Sequence, residues 1–235
     1  MKFCIVEITA LTASFRNPEF QNFHKSLLLP PPTTLIGLAR AALGLSPKTA
    51  QAYCDEGIFS LGAYGTSQGI ARDLWKYNTF DGQGSVIIKE ILYDNHAVLV
   101  YGLGSEHKIQ ELHHAFLHPH YALTLGNNDS LAKVINVTLT DELTAYDKLE
   151  HCLVAGNIIN EVLENADNGL DFSIYTSSDP ITYDMPVRFF YESDYGFRKV
   201  IARKALSVVG EPMQLNVLKQ GVWYKNKFIP VFELN

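Results

Sequence analysis

Basic and aromatic side chains alternate in a polar, glycine-bearing segment of the chain, residues 65–85. The segment contains Trp75-Lys76-Tyr77, with Arg72 just before it. Aromatic rings stack on unpaired bases and neighbouring cations neutralise phosphates, so this pattern is typical of proteins that bind a single strand of nucleic acid. The competing interpretation is that Trp75 anchors the segment to the hydrophobic core.

A second set of candidates lies in HKSLLLPPPTTLIGLARAALGL, residues 24–45. The three prolines Pro30–Pro32 predict a rigid, extended segment. Thr33 or Thr34 is expected to cap a helix over about residues 35–45, because a hydroxyl can accept a hydrogen bond from a free amide of the first turn.

That helix would contain one charge and a stripe of small residues. Arg40 lies in an otherwise apolar run, where an idle charge is disfavoured, so we expect it to reach a phosphate or a carboxylate. The alternative is that its side chain extends to water. Gly37, Ala41 and Gly44 fall at i, i+4 and i+7. Glycine costs a helix about 1 kcal/mol relative to alanine, so the stripe predicts a close approach of the sheet or of a ligand backbone.

Histidines on a later predicted helix are spaced as metal ligands can be. The residues at i, i+4, i+7 and i+11 are His107, Glu111, His114 and His118. Pro119 pushes the last of them out of helical geometry, and the stripe is the polar face of the helix, where these residue types are ordinary. We therefore expect neither a metal nor a cofactor. Nucleotide-binding glycine motifs are incomplete in this chain.

Charge is segregated along the 235 residues, although the net charge is −6. Residues 135–184 hold ten acidic side chains and one basic, whereas residues 185–235 hold eight basic and four acidic. Such a chain can present a basic face despite its acidic total; the alternative is a solvated acidic helix and ordinary surface lysines. The three scattered cysteines, the lack of a signal peptide and the lack of a membrane-spanning run predict a cytoplasmic protein without membrane contact.

The hydrophobic pattern predicts an α+β fold. The N-terminal part has the order β, α, β, β, α, β of an RRM/ferredoxin-like sandwich, and its first strand, residues 2–10, has two apolar faces. Strands are predicted at 2–10, 58–64, 86–93, 97–103, 121–125, 133–139, 187–191 and 197–209, with a turn at 94–96 and a hairpin across 225–227. Helices are predicted at 35–45, 105–117 and 141–165, the last of them acidic on its outer side.

Three stretches together resemble a known family. FRNPEF (residues 15–20), the proline-helix stretch and DLWKY (residues 73–77) are similar to the N-terminal signature of the fifth family of CRISPR-associated (Cas) proteins. These are RAMP-superfamily subunits of type I Cascade complexes, and the nearest resemblance is to type I-B.

The resemblance implies a fold and a role. It implies an RRM-like domain from which a long β-hairpin thumb projects, placed at about residues 65–93, so that residues 1–140 form this domain. Residues 141–235 would be an acidic helix and a β-rich C-terminal region packed on it. The protein would cap the 5′ handle of the crRNA, contact the Cascade backbone and large subunits, and reach target DNA indirectly near the PAM.

The resemblance also bears on catalysis. Most members do not cleave RNA, so we expect no catalytic residues. Type I-C members process pre-crRNA with a Tyr, Lys and His set that no motif places on this chain. The alternative is a metal-independent endoribonuclease, with His24 or a histidine of residues 107–118 as general base.

Physical and family interpretations meet at the proline-helix stretch, whose free amides and helix dipole would suit a phosphate. The thumb contains only Arg72, Lys76 and Lys89 as bases, which leaves open that it mostly touches protein. The expected RNA-binding residues are Arg16, His24, Lys25, Thr33, Thr34, Arg40, Arg72, Trp75, Lys76 and Tyr77.

Overall fold

The computed structural model describes residues 1–20, 23–56, 59–78, 82, 84–161 and 180–234, which form an α+β fold. The strands of the main sheet are β1 (Lys2–Ala13), β4 (Phe59–Thr66), β5 (Gly69–Asn78), β6 (Gly84–Leu103), β7 (Ala132–Thr140), β9 (Cys152–Ala155), β10 (Ile181–Tyr191), β11 (Arg198–Val209) and β14 (Phe232–Glu233). A second sheet contains β8 (Thr144–Leu149), β12 (Met213–Tyr224) and β13 (Lys227–Pro230), and a short ribbon contains β2 (Phe15–Arg16) and β3 (Ser26–Leu27). The helices are α1 (Pro32–Leu43), α2 (Pro47–Asp55) and α3 (Glu106–Leu117).

The predicted order of elements is present in the N-terminal part. It runs β1, α1, β4, β6, α3, β7, with α2, β5 and short strands added. The four strands pair antiparallel with β6 and β1 in the centre, and β9, β11 and β10 extend the sheet beyond β4. The C-terminal part therefore contributes strands to the same sheet as the N-terminal part.

Both faces of the sheet are covered, as the two apolar faces of β1 predict. Cys4 and Ile8 face a core that includes Leu35 of α1 and Phe116 of α3. On the opposite face, Val222 and Ile229 of the second sheet pack against four residues of β1 and β6, which are Phe3, Ile5, Val98 and Val100. This double burial fixes the central strands, because a register slip would exchange two packed faces.

The longest feature is a hairpin that continues out of the sheet. β4 and β5 pair with β6 in one common register, from Phe59 opposite Leu103 to Asn78 opposite Gly84. The turn predicted at 94–96 was wrong, since β6 runs straight through these residues. Asp94 has a positive φ of 49°, which Asp tolerates better than most residues. The polar triplet therefore marks an irregularity in a strand and not a chain reversal.

The predicted acidic helix at 141–165 was also wrong. Residues 144–155 form β8 and β9, residues 158–161 are helical, and residues 162–165 lie outside the described part. β8 pairs with β12, and Tyr146 packs its ring 5.0 Å from Trp223 and 5.3 Å from Phe228 between ring centroids. Pairing with a strand about 70 residues away outweighs the local helical spacing.

The predicted strand at 121–125 is reduced to one bridge between Thr124 and Leu131. The backbone amides at the start of this segment, those of His120 and Tyr121, bind the end of a helix instead. His120 N–H donates to the Ala42 carbonyl at 2.9 Å and Tyr121 N–H donates to the Ala41 carbonyl at 3.1 Å. The segment therefore caps the C-terminal end of α1, whose last carbonyls need partners outside the helix.

The other predicted elements are confirmed with small changes of boundary. α3 lies at the predicted position, β10 begins earlier than predicted, and β12 and β13 form the hairpin across Lys225 and Asn226, both of which have positive φ. No helix in the described ranges is both long and apolar enough to span a bilayer.

Candidate nucleic-acid interface

Three parts of the chain meet where the long hairpin leaves the sheet. His24 N–H donates to the Ile88 carbonyl at 2.9 Å, and Glu90 N–H donates to the His24 carbonyl at 2.9 Å. His24 thus forms a parallel bridge with Lys89. The segment around His24 adds a short third strand to β6 at the base of the hairpin, which brings residues 15–20 and 23–27 to that base.

A compact turn holds the segment in this position. Asn17 N–H donates to the Lys25 carbonyl at 2.9 Å, and the Asn17 side-chain oxygen accepts from Glu19 N–H at 3.0 Å. Arg16 pairs with Ser26 in the β2–β3 ribbon. The two stretches FRNPEF (residues 15–20) and HKS (residues 24–26) therefore lie side by side in space, because these contacts hold one against the other.

Cations and aromatic rings contact one another at this junction. The Lys89 ammonium lies 3.8 Å from the centroid of the Trp75 ring, the Arg72 guanidinium 5.7 Å from that of Phe23, and the Lys25 ammonium 5.2 Å from that of Phe20. Such contacts hold long cationic side chains in place at a modest energetic gain. The hairpin-base cluster is defined as Arg16, Phe20, Phe23, His24, Lys25, Arg72, Trp75 and Lys89.

The register of the hairpin divides these residues between its two faces. Trp75, Asp73 and Lys89 share one face, since Asp73 is directly opposite Lys89. Arg72 lies on the other face, opposite Glu90. A ligand at the cluster therefore meets Trp75 and Arg72 from different sides of the ribbon.

Glu90 supplies the internal counter-charge of the cluster. Its carboxylate is buried, accepts from Ser26 N–H at 3.2 Å and lies 3.9 Å from Arg72 Nε. Its backbone carbonyl accepts from the Ser14 hydroxyl at 2.8 Å. Because this acid is bound inside, Arg16 and Arg72 present positive charge to the outside. On the other face of the hairpin, the exposed Asp73 accepts from Trp75 Nε1 at 2.8 Å beside the buried Lys89.

The ionisation of His24 follows from its neighbours. Burial lowers its pKa below the usual value, and the charges of Arg16 and Lys89 lower it further. Burial also lowers the pKa of Lys89, against the opposing effect of Asp129 and Asp73. His24 is therefore neutral at pH 7 and can accept one proton or hydrogen bond.

The proposed threonine cap of α1 was wrong. The N-cap is Pro31, Pro32 is the first helical residue, and no side chain caps the turn. Thr34 and Leu35 donate their N–H groups to the Pro31 carbonyl at 2.8 and 3.1 Å, while prolines have no N–H to offer. Of these residues, only Thr33 keeps an amide that these bonds do not occupy, so the helix start is a weak anion site.

Arg40 is held by its own helix. Its Nε donates to the Leu45 carbonyl at 3.2 Å, beyond the last turn of α1. This contact satisfies a carbonyl and places a cation at the negative end of the helix dipole. None of the contacts described above for the hairpin-base cluster involves Arg40, so these contacts do not join it to the other candidates.

The stripe of small residues has two different explanations along α1. A Cβ on Gly44 would lie 2.7 Å from the His120 ring, and Gly44 has a φ of 72° at the helix end. A Cβ on Gly37 would meet no described atom within 4 Å. The close approach to the protein predicted from the stripe is thus present at Gly44 and absent at Gly37 among the described residues.

Lys76 and Tyr77 lie near the tip of the hairpin, opposite Val86 and Ser85. Both are exposed, and they follow Trp75 of the cluster directly along β5, on the side toward the tip. Three members of the hairpin-base cluster were not among the expected RNA-binding residues: Phe20, Phe23 and Lys89. Glu90, the acid that pairs with Arg72, was not expected there either. Lys89 was available to sequence analysis as a base of the hairpin, but its pairing with His24 has no local signal.

The site is an open surface. A cavity of about 650 Å³ lies elsewhere, lined by residues of β8, β12 and β13 that include Tyr146 and Trp223. In the described part of the chain, no group of three or more His, Cys, Asp or Glu residues is arranged to hold a metal ion. An open strip of cations and rings suits an extended ligand better than a small enclosed one.

Comparisons with known proteins place the chain in a family. Residues 4–201 match the family described as "CRISPR-associated protein (Cas_Cas5)". The chain therefore belongs to the Cas5 family of CRISPR-associated RAMP proteins, which confirms the resemblance carried by its motifs. No curated protein matches the chain.

Solved structures add a likeness of fold. A chain of a "CRISPR RNA-guided surveillance complex" superimposes with a TM-score of 0.58, covering 90% of each chain at 13% sequence identity. A "CRISPR protein from Archaeoglobus fulgidus" covers 98% of this chain and 99% of its own, with 14% identity and a TM-score of 0.48. The first match indicates that the α+β fold is shared with a subunit of such a complex.

Proposed function

We propose that the protein is a non-catalytic subunit of a type I Cascade surveillance complex that binds and caps the 5′ handle of the crRNA. The observation that carries the proposal is the hairpin-base cluster. In it, the segment with Arg16, His24 and Lys25 pairs with β6 at Lys89 and so lies at the base of the hairpin that carries Arg72 and Trp75. Cations next to exposed rings are the chemistry that grips a phosphate backbone and stacks its bases.

The finer architecture belongs to the same proposal. Residues 1–140 are an RRM-like domain, supported by the antiparallel neighbours β4, β6, β1 and β7 with α1 and α3 on one face. The hairpin of β5 and β6 is the thumb of the family, and residues 141–235 add a β-rich region. The subunit bridges the Cascade backbone and large subunits and meets target DNA only near the PAM.

The proposal is tested by RNA binding of the full chain. Arg16→Ala should raise the Kd for an RNA that carries the 5′ handle by about five- to ten-fold, because one phosphate contact and its counterion release are lost. The measurement is fluorescence anisotropy at two salt concentrations, followed by reconstitution with the partner subunits.

Lys148→Ala is the matched control, since Lys148 is an exposed base of β8 outside the cluster. It should change the Kd less than two-fold. Equal losses in the two variants would remove the cluster from the RNA path. Arg40→Ala should lower thermal stability rather than affinity, because Arg40 caps α1.

One observation favours a second candidate, a metal-independent endoribonuclease. His24 is neutral at pH 7 and lies beside Lys89, so the pair has a proton acceptor and a cation that could stabilise developing negative charge. A histidine of residues 107–118 was the other option, and His107, His114 and His118 lie on an exposed face of α3 away from the hairpin.

The two candidates are separated by incubating the pure protein with repeat RNA in the presence of a chelator. The scaffold function predicts intact RNA after prolonged incubation. Cleavage within the repeat that is abolished in His24→Ala and retained in His114→Ala would establish the endoribonuclease instead.

A further inference from the structure

A second exposed hairpin carries more cations and rings than the first. β10 and β11 pair along their length, but β11 joins β9 only through Leu206–Val209. Residues 186–203 therefore extend beyond the neighbouring strand as an arm. The arm was predicted only as two C-terminal strands, and it has no part in the proposed handle site.

The arm projects from the opposite end of the sheet. Val209 is opposite Cys152, and Cys152 is opposite Tyr64, near the end where β4 continues into the long hairpin. β11 therefore runs toward the long hairpin, and its first residue, Arg198, lies at the far end of the sheet. The base of the arm is held on α2, where Arg188 pairs with Asp55 at 2.8 Å.

The tip of the arm exposes large rings. Tyr195 is 74% exposed, Phe197 68% and Phe190 56%. Single exposed apolar side chains are ordinary on a protein surface. Several large exposed rings at one tip instead indicate a surface that binds another molecule. Phe189 and Tyr191 share the other face of β10 from Phe190, with ring centroids 6.1 Å apart.

Charge indicates which partner suits these rings. Residues 185–204 hold five basic and two acidic side chains. Two of the basic ones, Arg188 and Arg203, pair with Asp55 and Asp184 outside this range. The Arg198 guanidinium lies 4.7 Å from the Phe189 ring centroid, and Lys199 is directly opposite Phe190. Among the described residues neither Arg198 nor Lys199 forms an ion pair, so both charges are available to an anionic ligand.

We infer that the β10–β11 arm is a second binding surface, for single-stranded nucleic acid, separate from the hairpin-base cluster. Its exposed rings stack on bases. Arg198 contacts phosphate on the face of Phe189, and Lys199 does so on the opposite face, beside Phe190. Sequence preference should be weak, since every base has a face to stack. The inference does not depend on handle binding, because the two surfaces lie at opposite ends of the sheet.

The test uses a 20-nucleotide polyuridine that lacks the handle, bound to the full chain. The double variant Tyr195→Ala/Phe197→Ala should raise the Kd about ten-fold or more. Lys199→Ala should raise it about three-fold and reduce the dependence of log Kd on log salt by about 0.7. Tyr121→Ala and Lys133→Ala are matched controls, because both residues are exposed and lie outside the two surfaces; each should leave the Kd unchanged.

Two further measurements make the result decisive. Unaltered chain cross-linked to 4-thiouridine RNA should give labelled peptides from residues 189–199, a readout that needs no variant. Affinity for handle RNA should stay unchanged in the arm variants and fall in Arg16→Ala, so failure of one site is distinguished from failure of the other. Unchanged polyuridine binding in the double variant, or label absent from the arm, overturns the inference; loss of partner-subunit binding instead would assign the arm to a protein.

Discussion

At the scale of single residues, Glu7 joins the first strand to the last hairpin. Its buried carboxylate accepts from Lys225 Nζ at 2.6 Å and from the Tyr224 hydroxyl at 2.8 Å, and lies 3.0 Å from His96 Nε2. Burial raises the pKa of Glu7, but the hydrogen bonds of these three partners outweigh burial and lower the pKa to about 2. The ionised form is therefore the one that the fold stabilises.

We predict an acid-sensitive stability centred on this residue. The folded pKa is below the unfolded value, so the contribution is complete above about pH 4.5 and is lost as the pH falls toward 2. Glu7→Gln should lower the free energy of unfolding at pH 7 by about 2 kcal/mol and flatten its dependence on pH in that range. Urea unfolding at several pH values measures both.

Glu142→Gln is the control, because Glu142 is exposed. A pH profile that is the same in Glu7→Gln and in the unaltered chain would show that Glu7 does not carry the effect.

Individual residues were predictable where the information is local. Apolar side chains on both faces of β1 predicted burial on both sides of the sheet, and Phe3 and Cys4 now pack against different layers. The neighbourhood of Arg16 and Lys25 followed from a short turn. The Lys89 contact with Trp75 could not be predicted, because it depends on a hairpin register that tertiary packing fixes.

At the scale of elements, α1 shows how one pattern has two causes. Gly44 is required by its left-handed backbone and by the His120 ring, whereas Gly37 lies in a helix interior with open space around it. The same spacing therefore combines a helix terminator with a residue that nothing described in the structure requires.

Two alanine substitutions separate these causes. Gly37→Ala should raise the free energy of unfolding by up to about 1 kcal/mol, because alanine restricts the unfolded chain and favours helix. Gly44→Ala should lower it by about 1 kcal/mol or more, because a Cβ at positive φ is strained and meets His120. Differential scanning calorimetry would show Tm shifts of a few degrees in opposite directions. Shifts of the same sign would contradict this account of the stripe.

Elements with strong local signals were predicted well, such as α3 and the β12–β13 hairpin. The segment 144–155 was not, since its apolar spacing fits a helix as well as strands, and β8 is decided by its partner β12. Residues 121–125 failed for a related reason. The amides of His120 and Tyr121 bind the end of α1, and the sequence of the segment contains no signal that predicts this contact.

At the scale of the whole molecule, the tip of the long hairpin is a candidate contact for another subunit. Tyr77 is exposed at the tip, and Leu74, Val86 and Ile88 are exposed just below it. The outer part of the hairpin packs on neither face of the sheet. The sparse cations of the hairpin favour a protein partner there.

Shortening the hairpin tests this role. Replacing residues 77–85 with Asn-Gly keeps Lys76 opposite Val86 and supplies a two-residue turn of the kind that hairpins favour. The Tm should change by no more than about 2 °C, while co-purification with the adjacent Cascade backbone subunit should fall several-fold. Wild-type recovery of that subunit would show that the tip makes no such contact.

β6 is 20 residues long and runs through both the sheet and the long hairpin. At about 3.3 Å per residue the strand spans about 65 Å, nearly half of it outside the sheet. β1 pairs with β6 on both sides of Asp94, up to Ala13 opposite Leu92, and so braces the irregularity. The hairpin is therefore a rigid extension of the sheet. We expect a displacement of its far end to rotate the whole sheet and to move the arm at the other end with it.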